Sequence, residues 1–143
     1  MDSSECLLVE DALAMNSHMP MKQVHSCVVC TKNFYFVVPT KTVGMFVLFD
    51  TIKNHAFFEG LSIQDGLKKL ISETSSVDEL ESKLKELLEN NDKYIFDLSE
   101  AKSTKIKGFL GKKTFMYRRS KSWASFSPKT KAAGKLLADF YDK

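Results

Sequence analysis

Residues 108–126, GFLGKKTFMYRRSKSWASF, contain five basic residues, five aromatic residues and no carboxylate. Gly111 separates two short runs that contain aromatic residues, and in the second run parity places Phe115 and Tyr117 on one face, as in a strand with one buried face. The pattern predicts a hairpin of two strands over 104–110 and 112–119, followed by a third strand over 122–127. An antiparallel meander is therefore the expected organisation of this part of the chain.

Runs of β-branched and aromatic residues elsewhere predict further strands. VHSCVVC (24–30) and NFYFVVP (33–39) are separated by two residues and favour a hairpin. VGMFVLF (43–49) is a third apolar run in this first group, and KYIFDL (93–98) precedes the later hairpin. Residues 1–20 fit the alternation of a strand and the spacing of a helix equally well, so both structures stay open.

Between the two groups of strands the apolar period changes to that of a helix. Apolar residues three and four positions apart predict a helix over 62–73 that begins after Ser62. A second helix is predicted from the capping box that Ser76 forms with Glu79. Together the two helices form an insertion over 62–90, between the third and the fourth predicted strand.

A C-terminal helix is predicted over 128–142, with Ser127 as its N-cap and Pro128 in its first position. The expected fold class is α+β in a single domain of 143 residues, built on a mostly antiparallel bent sheet or a partly closed barrel. Its parts are a first strand group over 24–49, the two-helix insertion, a meander over 93–127 and the C-terminal helix.

Length and composition are those of an ordinary globular protein. A chain of 143 residues, 43% hydrophobic and 27% charged, can bury a core without disulfides or metals. The acidic N-terminus lacks the layout of a signal peptide, and no apolar run is long enough to cross a membrane. An odd count of three cysteines fits a reducing compartment, so a cytoplasmic location is expected.

Charge is distributed unevenly along the chain. Residues 1–100 contain nine basic and sixteen acidic residues, whereas residues 101–143 contain twelve basic and two acidic ones. A basic segment of this kind attracts polyanions such as nucleic acid and acidic lipid headgroups. It could equally attract the acidic half of its own chain.

The CVVC motif at 27–30 raises the question of a metal site or a redox pair. Residues three apart in a strand point to opposite faces, so Cys27 and Cys30 are badly placed for a disulfide or a shared metal. A redox pair would also favour a helix N-terminus, where a thiolate is stabilised. Both thiols are therefore predicted to be buried and structural, and no metal is expected.

The sequence contains no catalytic motif. LGKKT at 110–114 departs from a phosphate-binding loop at two positions, so no cofactor is expected. KGFLGK at 107–112 has the GxxG pattern of KH domains, but predicted strands flank it. His25 and His55 lack a partnered nucleophile in a recognisable motif, and a lone histidine is usually structural or solvated. We therefore expect that the protein is not an enzyme.

The basic residues of the predicted meander form the candidate binding site. Lysine and arginine at strand ends and in loops bind phosphates through charge-assisted contacts that salt weakens. Most aromatic residues between them are expected to face the core. The candidates for binding an anionic partner are Lys105, Lys107, Lys112, Lys113, Arg118, Arg119 and Lys121.

The order of these elements resembles that of GRAM domains and bacterial pleckstrin-homology-like (PH-like) domains. VHSCVVCTKNFYFVVP (24–39) looks like the opening hairpin of that family, and FDLSEAKSTKIKGFLGKKTFMYRRSKSWASFSPKTKAAGKLLADFY (96–141) is similar to its later strands and C-terminal helix. The resemblance implies a barrel plugged at one end by that helix, and a module that binds lipids, peptides or proteins. The two-helix insertion departs from the family pattern, as does a first hairpin without the lysine-and-arginine signature of phosphoinositide-binding members.

The expected function is therefore a non-catalytic PH/GRAM-like binding module whose basic surface contacts a membrane headgroup or an acidic protein surface. The alternative is a nucleic-acid-binding protein that uses the basic segment over 102–121. A further alternative is a globular domain whose basic face is only solvated, or pairs with the acidic helices of the same chain.

Overall fold

The computed structural model describes residues 1–2, 4–18, 23–41, 52 and 54–141. The strands are β1 (Cys6–Asn16), β2 (Val24–Thr31), β3 (Phe34–Pro39), β4 (Ile95–Asp97), β5 (Ser103–Phe109), β6 (Lys112–Arg118) and β7 (Trp123–Pro128). The α-helices are α1 (Ile63–Glu73), α2 (Val77–Leu87) and α3 (Lys131–Tyr141). Single 3-10 turns cover Ala56–Phe58 and Leu98–Glu100.

The described strands form one antiparallel sheet in the order β4-β3-β2-β1-β7-β6-β5. The predicted hairpin of β2 and β3 is confirmed, and so is the predicted meander of β5, β6 and β7. The stretch over 1–20, which fitted either structure, forms β1 in the middle of the sheet, where it joins the two groups by pairing with β2 and β7. The strand predicted over 43–49 lies outside the described residues.

The sheet curls around an aromatic core. Tyr35 on β3 and Phe115 on β6 lie four strands apart, which would separate them by about 19 Å in a flat sheet. Their ring centroids are only 5.5 Å apart. Across the open side, the Tyr117 hydroxyl on β6 donates to the Asp97 carbonyl on β4 at 2.9 Å. The predicted α+β class with a bent antiparallel sheet is therefore confirmed.

Helix α3 packs inside the bend. Gly134 lies so close to Lys113 of β6 that an added Cβ would be 3.0 Å from the lysine Cγ. At the other end of the helix, the Tyr141 and Phe115 rings pack together with their centroids 4.9 Å apart. The Tyr141 hydroxyl donates to the Thr31 carbonyl at 3.0 Å. The helix therefore spans from the start of β6 to the end of β2.

Helices α1 and α2 cover the opposite face of the sheet, over β1, β2 and β3. Lys68 on α1 pairs with Glu10 on β1 at 3.0 Å. The Lys85 ammonium on α2 lies 4.2 Å from the centre of the Phe34 ring on β3. The two helices are thus held on the half of the sheet that does not contain the basic meander.

The helix starts follow the predicted capping chemistry in the insertion. The Ser62 hydroxyl accepts from the Asp65 amide at 3.0 Å, and the Ser76 hydroxyl accepts from the Glu79 amide at 3.1 Å. The reciprocal bond of the predicted capping box is displaced by one residue, because the Glu79 carboxylate accepts from the amide of Ser75. Both predicted N-caps are therefore confirmed.

The predicted start of the C-terminal helix is wrong by three residues. Ser127 and Pro128 belong to β7, where they pair with β1, and the helix begins at Lys131. Thr130 supplies the cap, since its hydroxyl accepts from the Ala133 amide at 3.1 Å. Pairing with the long strand β1 keeps the backbone extended past the proline, and this tertiary interaction overrides the local helix-start signal.

Candidate anion-binding face

Four of the seven candidate cations lie on one face of the β5–β6 hairpin. Positions of equal parity on paired strands share a face, and the register pairs Phe109 with Lys112 and Ser103 with Arg118. This face is the one opposite the buried Phe115. We call the four exposed residues of this set the basic face: Lys105, Lys107, Lys112 and Arg118.

The spacing of the basic face suits an extended anionic surface. The register makes Lys105 the diagonal neighbour of Arg118, and Lys107 the diagonal neighbour of Lys112. Diagonal neighbours across antiparallel strands lie about 7–8 Å apart. Cations at this separation can contact adjacent anionic groups, whereas a single phosphate would require side chains that converge on one point.

No carboxylate pairs with the basic face among the described residues. Ion pairs between described residues join Lys68 with Glu10, Arg119 with Glu100, and Lys129 with Asp11, and none of these includes a residue of the basic face. In the described part of the chain, the alternative in which the acidic helices pair with the basic meander therefore has no ion pair to support it. The four cations of the basic face remain exposed to solvent and available to a partner.

The other three candidates lie elsewhere, so the predicted set of seven does not form one cluster. Lys113 has the parity of Phe115 and packs on Gly134 of α3. Arg119 donates from Nε to the Tyr117 hydroxyl at 3.1 Å and pairs with Glu100, and the bond to Tyr117 is the main reason that the pKa of Arg119 is raised. Lys121 is exposed in the turn between β6 and β7.

Three aromatic side chains of the meander face the core, as predicted: Phe115, Tyr117 and Phe126 are buried. Trp123 is the exception, because it pairs with Arg118 of the basic face, lies on the outer side of the sheet and is only half-buried. Phe115 and Phe126 stack with their centroids 5.5 Å apart, which occupies their ring faces. The three buried rings are therefore not free to stack against nucleic-acid bases.

The β5–β6 turn has a feature that the sequence analysis missed. The turn residues are Leu110 and Gly111, which both have positive φ, +52° and +83°. Gly108, the first glycine of the GxxG pattern, lies within β5 opposite Lys113 and takes no part in the turn. The Leu110 side chain is 79% exposed, and turns with two positive φ angles favour asparagine or glycine at that position. In the sequence, this feature is indicated by a leucine directly before the glycine of a predicted hairpin turn, where asparagine or glycine would be usual.

The cysteines of the CVVC motif are free and buried, as predicted. Cys27 donates from Sγ to the Glu10 carbonyl at 3.2 Å, whereas Cys30 contacts the Tyr141 hydroxyl inside the bend. Burial raises the pKa of Cys27 to about 12 and that of Cys30 further. Neither thiol is a nucleophile at neutral pH. In the part of the chain that the structure describes, no three metal-ligating side chains lie together.

The two histidines considered above each line a cleft. His25 Nδ1 lies 2.7 Å from the Lys129 ammonium, which also pairs with Asp11 at 3.1 Å, beside a cleft of about 520 Å³. His55 Nδ1 accepts from the Phe57 amide at 3.1 Å, beside a cleft of about 230 Å³. Among the described residues neither ring is hydrogen-bonded to a hydroxyl or a thiol, so no activated nucleophile is formed there.

Comparison with family models, with curated proteins and with solved structures yields no match to this chain. No helix among the described residues has the length and apolar character needed to span a bilayer.

Proposed function

We propose that the protein is a non-catalytic binding module of the PH/GRAM-like type, and that its basic face docks on the headgroup layer of an anionic membrane. The observation that carries this proposal is the set of four exposed cations on one face of a single hairpin. Within the described residues none of them has an ion pair. A binding role would explain why they remain unpaired.

The PH-like part of the proposal is supported by the arrangement of the elements. An early antiparallel hairpin, a later antiparallel meander and a C-terminal helix inside the bend of the sheet are what the resemblance implies. The insertion over 62–90 covers the outer face of the first strands and leaves the basic face open. The departure from the family pattern is therefore compatible with binding through β5 and β6.

The energetics of such docking are those of a salt-sensitive surface contact. Each lysine or arginine close to an anionic membrane contributes about 1 kcal/mol, and the attraction decays within about 10 Å at 0.1 M salt. Four cations on one face therefore give reversible binding that weakens as the salt concentration rises. Helix α2, which has four acidic and two basic residues, lies on the other half of the sheet, and its net negative charge opposes docking through that half.

Nucleic acid is the second candidate partner, and an acidic protein surface is the third. Binding single-stranded nucleic acid usually combines cations with exposed aromatic rings on which bases stack. The aromatic rings of Phe115, Tyr117 and Phe126 are buried, and Trp123, beside Arg118, is half-buried, so among the described side chains the basic face presents four exposed cations and no fully exposed ring. This burial favours a membrane surface, which requires no stacking.

Vesicle binding tests the proposal. Flotation with vesicles of phosphatidylcholine and phosphatidylserine, and titration with a random oligonucleotide, are measured at low and at physiological salt. We expect binding to the anionic vesicles that falls with salt, and weaker binding to the oligonucleotide. Lys105→Glu should lower vesicle affinity about fivefold or more, because it removes one favourable contact and adds a repulsive one.

Lys83→Glu is the matched control. Lys83 is an exposed lysine on α2, on the other half of the sheet, and its substitution changes the net charge by the same amount. Equal losses for Lys105→Glu and Lys83→Glu would mean that overall charge, and not the basic face, determines binding. Stronger binding to the oligonucleotide than to vesicles would favour the nucleic-acid alternative, and no binding to either would overturn both.

A further inference from the structure

We propose that the β5–β6 turn inserts Leu110 into an anionic bilayer while the lysines around it contact the headgroups. This inference rests on the proposed function, because it assigns the depth and orientation in which the basic face meets the membrane. It concerns a side chain and a mode of contact that electrostatic docking alone does not require.

Leu110 has no packing role that would explain its presence. Its side chain is 79% exposed at the tip of a hairpin, whereas the other exposed leucine among the described residues, Leu136, is 57% exposed. Its φ of +52° is a left-handed conformation that disfavours a branched apolar side chain. The residue thus combines an unfavourable backbone with an unburied apolar side chain, and a membrane would supply the missing apolar environment.

Lysines surround the turn. Lys112 follows it directly, and the Lys113 ammonium reaches back to Gly108, where an added Cβ would lie 3.0 Å from it. From α3, the Lys131 side chain lies over Gly111, with its Cε 2.8 Å from the position of an added Cβ. We call Lys112, Lys113 and Lys131 the lysine collar.

The lysine collar has no acidic neighbour in sequence and no ion pair in the described structure. The chain contains no Asp or Glu from 101 to 138, and none of the ion pairs formed by the described residues includes a collar lysine. Long lysine side chains can keep their ammonium groups at the headgroup level while an apolar residue between them goes deeper. An apolar tip inside a ring of cations is therefore complementary to an anionic bilayer.

The exposed leucine distinguishes a bilayer from the other polyanions. An oligonucleotide or a sulfated polysaccharide would use the cations but would gain nothing from Leu110. Apolar side chains at membrane interfaces are buried about 5–10 Å into the boundary between headgroups and acyl chains. Because Leu110 continues the hairpin that carries the basic face, one bilayer can contact both.

The first test compares Leu110→Asn with Leu136→Asn. Asparagine tolerates the left-handed backbone, so Leu110→Asn removes the apolar tip without weakening the fold. Binding is measured by flotation with the same anionic vesicles and by titration with heparin, a soluble polyanion. We expect Leu110→Asn to lower vesicle affinity about tenfold and to leave heparin affinity unchanged. Leu136→Asn should change neither.

The second test reports insertion directly. The chain has one tryptophan, Trp123, so in a Trp123→Phe background Leu110→Trp introduces the single tryptophan, which is excited selectively at about 295 nm apart from the four tyrosines. With anionic vesicles we expect a blue shift of its emission and quenching by lipids brominated on the acyl chain. Emission that stays unshifted and unquenched on vesicle-bound protein would overturn insertion.

Failure of the insertion and failure of the basic face give different results. If Leu110→Asn binds vesicles as the unmodified chain does, while Lys105→Glu binds more weakly, insertion is wrong and electrostatic docking stands. If Leu110→Asn loses heparin and vesicle binding alike, the turn acts only through the shape of the cationic surface, and insertion is also wrong. If the unmodified chain binds no anionic vesicles, both proposals are wrong.

Discussion

The Thr31 hydroxyl donates a hydrogen bond to the Glu81 carboxylate, with 2.6 Å between Oγ1 and Oε2, and both side chains are buried. The same hydroxyl accepts from the amides of Asn33 and Phe34 in the β2–β3 turn, at 3.3 and 3.0 Å. One threonine therefore connects the insertion to the first hairpin and satisfies a buried carboxylate.

Thr31→Val should destabilise the protein by about 1–3 kcal/mol. The substitution keeps the shape of the side chain but leaves the Glu81 carboxylate buried without this partner and the turn amides without their acceptor. Urea unfolding measures the loss. Thr104→Val, at an exposed position of β5, is the control and should stay within about 0.5 kcal/mol of the unmodified chain.

Tyr35→Phe and Tyr117→Phe should have opposite effects. Among the described residues the buried Tyr35 hydroxyl has no hydrogen-bond partner, so its removal should be neutral or stabilise by up to about 1 kcal/mol. The Tyr117 hydroxyl bonds the Asp97 carbonyl and accepts from Arg119, so its loss should cost about 1–2 kcal/mol. Equal destabilisation of both variants in thermal unfolding would contradict this difference.

The cysteines should be almost unreactive in the folded protein. Burial raises the pKa of Cys6 from its ordinary value of 9.0 to about 11 and that of Cys27 to about 12. Only thiolates react with alkylating reagents, so at pH 8 Cys6 should react about a hundredfold more slowly than an unfolded thiol. Mass spectrometry after iodoacetamide treatment should show three fast-reacting thiols only when the chain is unfolded.

The raised pKa values of Cys6 and Cys27 also make the stability of the folded protein fall at alkaline pH. The unfolded chain releases thiol protons above about pH 9, whereas the folded chain keeps them until its raised pKa values are reached. The stabilisation is thus present below the unfolded pKa and is lost as the pH rises towards 11. A Cys6→Ser variant should show a smaller loss between pH 8 and pH 10, and an identical loss would argue against this origin.

Gly66→Ala should destabilise the protein, although alanine favours helices. A Cβ at this position of α1 would lie 2.0 Å from Cδ1 of the buried Phe58 ring. Overpacking costs about 1–3 kcal/mol, which outweighs the gain in helix propensity of up to about 1 kcal/mol. Ser72→Ala, at an exposed position of the same helix, is the control and should be neutral or slightly stabilising. Adding Phe58→Leu should restore part of the stability lost in Gly66→Ala.

Leu110→Asn should raise the stability of the protein by about 1 kcal/mol. It relieves a left-handed backbone that costs a residue such as leucine about 1–2 kcal/mol. The midpoint of thermal unfolding should therefore rise, without vesicles present. A lower midpoint would show that the leucine stabilises the fold itself, and would remove one argument for its role at a membrane.

Local patterns predict most of the strands and helices but not where β1 lies. The alternation of Leu7, Val9, Leu13 and Met15 fitted a strand only partly, because an irregularity between Val9 and Ala12 reverses the parity. After it, Ala12 and Ala14 are buried in place of Leu13 and Met15. A bulge of this kind depends on pairing with distant strands, which a local pattern does not contain.

The candidate site was also predictable only in part, because local strand parity is visible in the sequence whereas strand register and tertiary contacts are not. Parity alone separates Lys112 and Arg118 from Lys113 and Arg119, but only the register adds Lys105 and Lys107 to the first pair. The partner of Arg119 is Glu100, which lies just before β5 and beside the end of β6, where the Lys102 amide donates to the Arg118 carbonyl. Lys131 joins the turn because α3 packs against β6, a tertiary contact that sequence spacing does not indicate.

Strand β5 is an edge of the sheet among the described strands, so the outer side of its backbone has no neighbouring strand. Such edges template aggregation unless charged residues block a second chain. Lys105 and Lys107 therefore have a protective role whatever their ligand is, because two copies would bring like charges together. A membrane that neutralised these lysines would remove that protection, so clustering of the protein should appear first on the most anionic vesicles.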